Sequence, residues 1–306
     1  MATLGNSIIR QSCGSSALGT GTKWCDFNPK DIEHVIFTPK SLSIPLTEDF
    51  DLAYLQSLQL AGNAIVLKNA FEFTDSTADN TKQTSATGKI QISQKGRHEF
   101  SLKYTDGLGL YKALASLSSR GYYRVILVDS QNNVMFTEDG DSAVKGFLTS
   151  YVDSEAIRFD TGSEVTSKVL SFQLAEREET DSRLAYLQND NSLFNIQEAD
   201  GINELVYSFA SNPANTDTSV VVNVYSMVNR SVDVADILDT DTSAIQLNVD
   251  GVDVTPSAVA KTAANQLTIT VPALSTSEVV YLKASPFAIA DVGLFQAAKS
   301  SEVVVG

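Results

Sequence analysis

The sequence predicts a mainly β protein of the α+β kind, with one β-sandwich that carries flanking helices and a second, smaller β-sandwich after it. Two observations lead to this prediction. Apolar residues recur in strand-length segments, alternating or continuous, over most of the chain. A few stretches before residue 200 have helical spacing instead, whereas Val, Thr, Asp and Asn dominate beyond it and aromatic residues become fewer.

Length and composition limit the possibilities further. A chain of 306 residues is long enough for two domains, and a hydrophobic content of 43% is enough for a sizeable core. The net charge of −15 argues against tight phosphate binding. It is compatible with a surface along which DNA passes without being bound. The longest apolar runs, 125–128 and 219–225, are strand-sized, so no membrane span is expected.

Residues 1–22 are small, polar and punctuated by glycine, which predicts a flexible N-terminal arm. The arm lacks the apolar core of a signal peptide, so folding in a reducing cytosol is the simplest interpretation, with export without a leader as the alternative. Cys13 and Cys25 are then two ordinary thiols, with a disulfide or a metal-ligating pair left open.

The elements of the first domain begin with a short strand at 35–37. Residues 47–60 have the apolar spacing of an amphipathic helix, with Thr47 as its N-cap and acidic residues in its first turn. A strand is predicted at 64–74, and the polar stretch 75–88 after it is predicted to be a long loop.

Strand patterning resumes at 89–93 and 98–104. A second helix is predicted at 108–119, with Asp106 as its N-cap, and a hairpin follows at 122–136. Three consecutive turn-forming residues, Gln-Asn-Asn, separate the two strands of this hairpin.

Two strands at 144–157 and 167–174 complete the first domain. The charged segment that follows them is predicted to start a linker helix that extends over 175–187. The character of the sequence changes near residue 200, where we place the domain boundary.

Beyond this boundary, short strands separated by turns, without helices between them, predict a β-sandwich. These strands are expected at 204–209, 219–225, 244–249, 266–271 and 278–284. The predicted organisation is therefore an arm at 1–22, a first domain at 23–200 and a second domain at 201–306.

The sequence contains no combination of residues typical of an enzyme. His34 and His98 are isolated, and no serine or cysteine nucleophile motif accompanies them. The segment 106–109 resembles a phosphate-binding glycine loop only in part, since the lysine and the third glycine are missing. The acidic residues within 233–241 could hold calcium or form a solvated loop, and their spacing does not fit an EF-hand. We predict no enzyme activity, no cofactor and no metal site.

The segment 89–174 resembles the tail-tube fold of long-tailed bacteriophages, in which a β-sandwich is accompanied by a helix, a long polar loop and a flexible N-terminal arm. Here the helix is 108–119 and the loop is 75–88. The region from 202 onwards resembles the immunoglobulin-like domains often carried on phage structural proteins. The early helix 47–60 departs from this pattern and is compatible with a ring, head-completion or capsid-accessory protein instead.

The resemblance implies a virion structural protein whose partners are copies of itself, arranged in rings, commonly hexameric, that stack into a tube. Sheet edges of neighbouring subunits would pair, and DNA would pass through an acidic lumen without being bound. Assembly would take place in the cytoplasm of a host bacterium, with contacts to other virion proteins and none to a membrane. The net charge of −15 agrees with an acidic lumen.

The resemblance also suggests where rings touch. In the N-terminal arm, the candidate contact residues are Ile8, Ile9 and Arg10. In the polar loop, the candidates are Asp75, Ser76, Asp79, Asn80, Thr81, Lys82 and Gln83. The alternative from another class is a surface adhesin or carbohydrate-binding module, for which exposed aromatic residues and an export signal would be expected.

Overall fold

The computed structural model of the chain describes residues 8–10, 31–118, 122–189, 195–227, 230–289 and 293–306. Strands far outnumber helices, which confirms the predicted mainly β fold. The chain forms two compact units, residues 1–199 and 200–306. Within the described ranges, no helix combines the length and the apolar character needed to cross a membrane.

The first unit is built from short strands and a few short helices. Its strands are β1 (Ile8–Arg10), β2 (Ile32–Pro39), β3 (Ile44–Pro45), β4 (Ile65–Leu67), β5 (Glu72–Asp75), β6 (Thr81–Thr84), β7 (Ile90–Gln94), β8 (Glu99–Tyr104), β9 (Tyr123–Asp129), β10 (Val134–Glu138), β11 (Ala143–Lys145), β12 (Phe147–Ser154), β13 (Lys168–Leu174) and β14 (Leu184–Leu187). Its helices are α1 (Leu52–Leu60), α2 (Leu108–Ser116), α3 (Glu178–Asp181) and a 3₁₀ turn at Ile196–Glu198.

Strand β12 joins the two halves of this unit. Its first two residues pair with β9, and from Thr149 onwards it pairs with β13, with a bulge between Thr149 and Tyr151. Gly146 precedes the strand, and a Cβ at this position would lie 2.9 Å from the carbonyl oxygen of Val125. Only glycine lets the two backbones approach this closely, so the bend in the sheet depends on it.

The segment 65–75 joins the two halves on the opposite side. Strand β4 pairs with β2, strand β5 pairs with β8, and Asn69 between them has a φ of 57°. The backbone amide of Ala70 donates to Glu33 O at 2.9 Å, and that of Phe71 donates to Lys103 O at 2.8 Å. The hydrogen bonds thus pass from β2 to β8 through one continuous segment, and the sheet closes on itself.

Strand β9 lies at the centre and is buried on both faces. Val125 and Leu127 face an inner core that is shared with α2 and the β8–β13 half of the sheet. Ile126 and Val128 face an outer core that α1 and the neighbouring loops cover. Because side chains alternate along a strand, this arrangement explains why the sequence of β9 is continuously apolar.

A buried ion pair fixes α3 against the bend of the sheet. Arg124 Nη1 lies 3.0 Å from Glu179 Oε1 and donates to Gly146 O at 2.7 Å. The other carboxylate oxygen of Glu179 accepts from the backbone amide of Leu148 at 2.6 Å. Both charged side chains are nearly inaccessible to solvent, so each needs the other to remain buried.

The second unit is a β-sandwich, with one short helix among its described residues. Its strands are β15 (Ile202–Phe209), β16 (Ser219–Ser226), β17 (Gln246–Val249), β18 (Val252–Val254), β19 (Ala258–Ala263), β20 (Gln266–Thr270), β21 (Val279–Ile289), β22 (Gly293–Ala297) and β23 (Val303–Val304). The helix is α4 (Val234–Leu238). One layer follows the order β15-β16-β20-β19 and the other the order β18-β17-β21, with β22 pairing with β21 and, in parallel, with β15. The apolar side chains of both layers form one core.

The predicted start of the first helix and the predicted N-caps of both helices are wrong, whereas α2 begins at Leu108 as predicted. Helix α1 begins at Leu52, and its N-cap is Asp51, whose carboxylate accepts from Tyr54 N at 2.8 Å. Thr47 lies before this start because the chain first forms β3 and a turn. The residue at the N-cap of α2 is Gly107, with φ at 97° and no side-chain hydrogen bond, so Asp106 does not cap the helix.

Several predicted segments are divided or change type. The strand predicted at 64–74 is interrupted at Asn69, and the one at 144–157 is interrupted at Gly146. The loop predicted at 75–88 contains strand β6.

The helix predicted at 175–187 is confined to α3, and β14 follows because its residues pair with β10. The second unit contains α4, where the sequence predicted no helix. Cys13 and Cys25 lie outside the described residues.

Candidate interaction surface

Strands β6 and β7 form a hairpin that stands apart from the rest of the first unit. Among the described strands, the two pair only with each other, with Lys82 opposite Ile92 and Gln83 opposite Gln91. Every residue of both strands is exposed to solvent. A two-stranded hairpin with no buried face is marginally stable in water by itself. Its position must therefore be set at its base.

The base of the hairpin is rigid because it is packed and hydrogen-bonded. Gly96 is buried against Ala78, and a Cβ at Gly96 would overlap the carbonyl oxygen of Ala78. The side-chain oxygen of Asn80 accepts from Gly96 N at 2.9 Å and from Arg177 Nη1 at 2.9 Å. Arg177 is held in turn by Asp181, at 2.8 Å. These contacts tie both strands of the hairpin to the segment that leads into α3.

The hairpin combines apolar and cationic side chains. Ile90 and Ile92 are 69% and 51% exposed, and they lie on one face of β7 because they are two residues apart. The segment 80–97 carries four of the 22 basic residues of the chain and none of its 37 acidic residues. The four basic residues are Lys82, Lys89, Lys95 and Arg97, and all are exposed. On a protein with a net charge of −15, this segment is a local positive projection.

The predicted loop residues run from the end of β5, through the base of the hairpin, onto β6. Asp75 accepts from Thr77 N at 2.8 Å, and Ser76 N donates to Glu99 O at 2.8 Å. Asn80 forms the base, as described above, and Asp79 precedes it. The remaining three predicted residues, Thr81, Lys82 and Gln83, are exposed on β6.

The two exposed isoleucines were missed by the sequence reasoning. The segment 89–93 alternates apolar and polar residues, and this pattern predicts a strand without showing whether its apolar face is covered. The available signal was the absence of acidic residues over 80–97 in an otherwise acidic chain. An apolar strand inside such a segment is more easily explained as an exposed strand than as a part of the core.

The N-terminal candidates lie on a strand. Ile8, Ile9 and Arg10 form β1, which pairs antiparallel with β14 and gives it a second hydrogen-bonded neighbour beside β10. This pairing covers a strand edge that would otherwise present free backbone groups. The arm predicted to be flexible therefore includes one ordered segment, and its predicted contact with other subunits stays a prediction.

The two histidines have structural contacts. His34 is buried, and its Nδ1 accepts from Asn69 N at 2.9 Å, at the bend between β4 and β5. Burial, together with the positive charge of Lys68, lowers the pKa of His34 to about 4, so the ring is neutral at pH 7. The ring of His98 stacks on Phe100, with 5.9 Å between the ring centroids.

The acidic cluster of the second unit surrounds a lysine. Lys261 Nζ binds the carboxylates of Asp233 and Asp236, and its backbone amide donates to Asp239 at 2.7 Å. The carboxylate of Asp233 also accepts from the amide of Asn265. The ammonium group thus occupies the position that a cation would take. No group of three or more possible metal ligands occurs in the part of the chain that the structure describes.

A scan against models of protein families finds no match to this chain, and a search of curated proteins finds no relative. Function is therefore inferred from the surfaces described above.

Proposed function

We propose that this protein is a virion structural subunit, a tail-tube protein of a long-tailed phage, which assembles with copies of itself into stacked rings that form a conduit for DNA. The observation that carries the proposal is the β6–β7 hairpin, which is fully exposed and yet fixed at its base. A partner that covers Ile90 and Ile92 would bury apolar surface that the free chain leaves in water.

The order of elements in the first unit supports the same proposal. Between the hairpin and α3, the chain runs through β8, α2, the β9–β10 hairpin, β11, β12 and β13, so the helix on which the resemblance rests lies among the strands of this unit. Helix α2 closes the inner core through Tyr111 and Leu114. This arrangement gives a rigid body from which the hairpin projects, as a building block requires.

The second unit supports an immunoglobulin-like outer domain. In that fold, strands A, B, E and D form one sheet, and strands C and F lie in the other. The orders β15-β16-β20-β19 and β18-β17-β21-β22 fit this scheme if β15 is taken as strand A and β22 as strand G. The parallel pairing of β15 with β22 agrees with the assignment.

The proposal predicts multimers of the full chain in solution. Sedimentation velocity and negative-stain microscopy over rising concentrations should detect rings and, at the highest concentrations, stacks of rings. A chain that stays monomeric at every concentration would contradict the proposal.

The second candidate is a head–tail connector or capsid-accessory ring protein. It is favoured by helix α1, which covers the outer face of the sheet with Leu55 and Leu58 and is not part of the resemblance. The same micrographs separate the candidates, because a connector would form closed rings that do not stack.

A further inference from the structure

The hairpin and one apolar surface lie at opposite ends of the same sheet. Strands β8 and β13 pair with Glu99 opposite Gln173 at one end and with Tyr104 opposite Lys168 at the other. The hairpin leads into β8 at the Glu99 end. Residues 155–166 of the loop between β12 and β13 lie at the Tyr104 end. Six residues of extended chain separate the two ends by about 20 Å.

The Tyr104 end, which we call the acceptor end, exposes several large apolar side chains. Phe159 of the 155–166 loop is 70% exposed, and Val165 of the same loop is also exposed. Leu108, at the start of α2, belongs to this end because Tyr111 of the same helix donates to Thr166 O at 2.7 Å. The remaining member is Phe71, which is exposed and whose amide bonds to Lys103 O.

The hairpin and the 155–166 loop carry charges of opposite sign, although Lys103 of the acceptor end also lies over the ring of Phe71, 5.7 Å from its centroid. The loop 155–166 contains Glu155, Asp160 and Glu164, against a single base, Arg158, which is already paired with Glu155 at 2.9 Å. The hairpin segment 80–97 carries basic residues only. When two surfaces each have an apolar centre and carry charges of opposite sign around it, the charges steer the two proteins together and orient them.

We propose that the hairpin of one copy docks on the acceptor end of a second copy. Ile90 and Ile92 would pack against Phe159 and its apolar neighbours, while the lysines of the hairpin would face Asp160 and Glu164. The contact joins two different surfaces, so it is head-to-tail and leaves each copy with one free surface for the next. This inference rests on the proposed function and names the contact by which its rings would stack.

A photo-crosslinking residue, p-benzoylphenylalanine, in place of Ile92 of the full chain tests the contact directly. We expect crosslinks between copies that map by mass spectrometry to peptides containing 155–166. The matched control is the same probe at Val252 of β18, which is 66% exposed in the second unit and should give no such crosslink. Crosslinks from position 92 to any other region would overturn the inference.

Charge exchange gives an independent readout. The variants Lys82→Glu/Lys89→Glu and Asp160→Lys/Glu164→Lys should each raise the concentration needed for stacking by about tenfold, since like charges then face each other. An equimolar mixture of the two should stack at a lower concentration than either alone, because the reversed hairpin meets the reversed loop. A mixture that stacks no better than its components would contradict the contact.

The result also separates this inference from the proposed function. If rings and stacks form but the crosslinks map elsewhere, the docking contact is wrong and the structural role stands. If the unmodified chain forms no multimer at any concentration, the structural role and the contact are both wrong.

Discussion

Strands β9 and β7 illustrate two uses of the same backbone structure. Both are hydrogen-bonded strands with two or more apolar residues, and yet β9 is buried on both faces whereas every residue of β7 is exposed. Burial of apolar area is the main favourable term in folding, so β9 stabilises the fold and β7 adds little to it. From this difference we predict that stability and the proposed binding of a partner reside in separate parts of the first unit, so that each can be altered without the other.

The largest expected effect on stability is in the core. Phe172 is fully buried, with its ring 5.9 Å from that of Phe37 and 5.6 Å from that of Phe100. The substitution Phe172→Ala should lower the free energy of unfolding by about 3–5 kcal/mol, because it removes contacts and leaves a cavity. Ile90→Ala on the hairpin is the control and should change the free energy of unfolding by less than about 0.5 kcal/mol. Urea denaturation measures both, and equal losses would refute the division between core and hairpin.

The buried ion pair should have an effect of similar size. Arg124→Met leaves the carboxylate of Glu179 buried without its cation and should cost about 3–5 kcal/mol of stability. The double variant Arg124→Met/Glu179→Gln should recover part of this loss, since no charge then remains buried. Urea denaturation of the single and double variants measures the coupling. A single variant as stable as the unmodified protein would show that the pair does not hold α3 against the sheet.

The bend at His34 predicts a dependence of stability on pH. The folded pKa is about 4, below the ordinary value of 6.5, so the unfolded chain binds the proton more tightly. The contribution of neutral His34 to the free energy of unfolding is therefore fully present above pH 6.5. It falls by up to about 3 kcal/mol as the pH decreases to 4. The variant His34→Gln should lose this part of the pH dependence when unfolding is measured at pH 7 and pH 4.5. If the variant keeps the same dependence of stability on pH, that dependence comes from other groups.

The sequence predicts the core strands better than the surface that we propose for assembly. In β8, Phe100, Leu102 and Tyr104 alternate with polar residues, and all three are buried as this pattern predicts. Strand β7 has a similar pattern, but alternation indicates two faces and not whether either face is covered. Pairing with distant residues decides that, and β6 and β7 have no third strand among the described residues.

Helix boundaries fail for a related reason. Thr47 and Asp51 are both good N-cap residues, and the choice between them is made by the strand β3 that precedes the helix. The apolar residues of β14, Leu184 and Leu187, have helical spacing, yet their segment pairs with β10 and β1 in the sheet. The local sequence of a segment does not show which distant strand will pair with it, and that pairing can override the local preference for a helix.

A smaller effect is expected at the base of the hairpin. Gly96→Ala forces a Cβ into the carbonyl of Ala78, which should loosen the base without reaching the core. Hydrogen exchange over 78–97 should become faster, while the amides of β9 should keep their protection and global stability should change by less than about 1 kcal/mol. Gly201→Ala is the matched control, since it meets no atom within 4 Å. Faster exchange in β9 would indicate that the hairpin and the core are one cooperative unit.

The central claim is that the exposed hairpin joins copies of this chain. Sedimentation velocity of the full chain beside a variant in which a Gly-Ser turn replaces residues 81–94 tests it most directly, with the thermal unfolding midpoint as the control for folding. We predict stacked multimers for the full chain, none for the variant, and equal midpoints for the two. Stacking of the variant at the same concentration as the full chain would contradict the account.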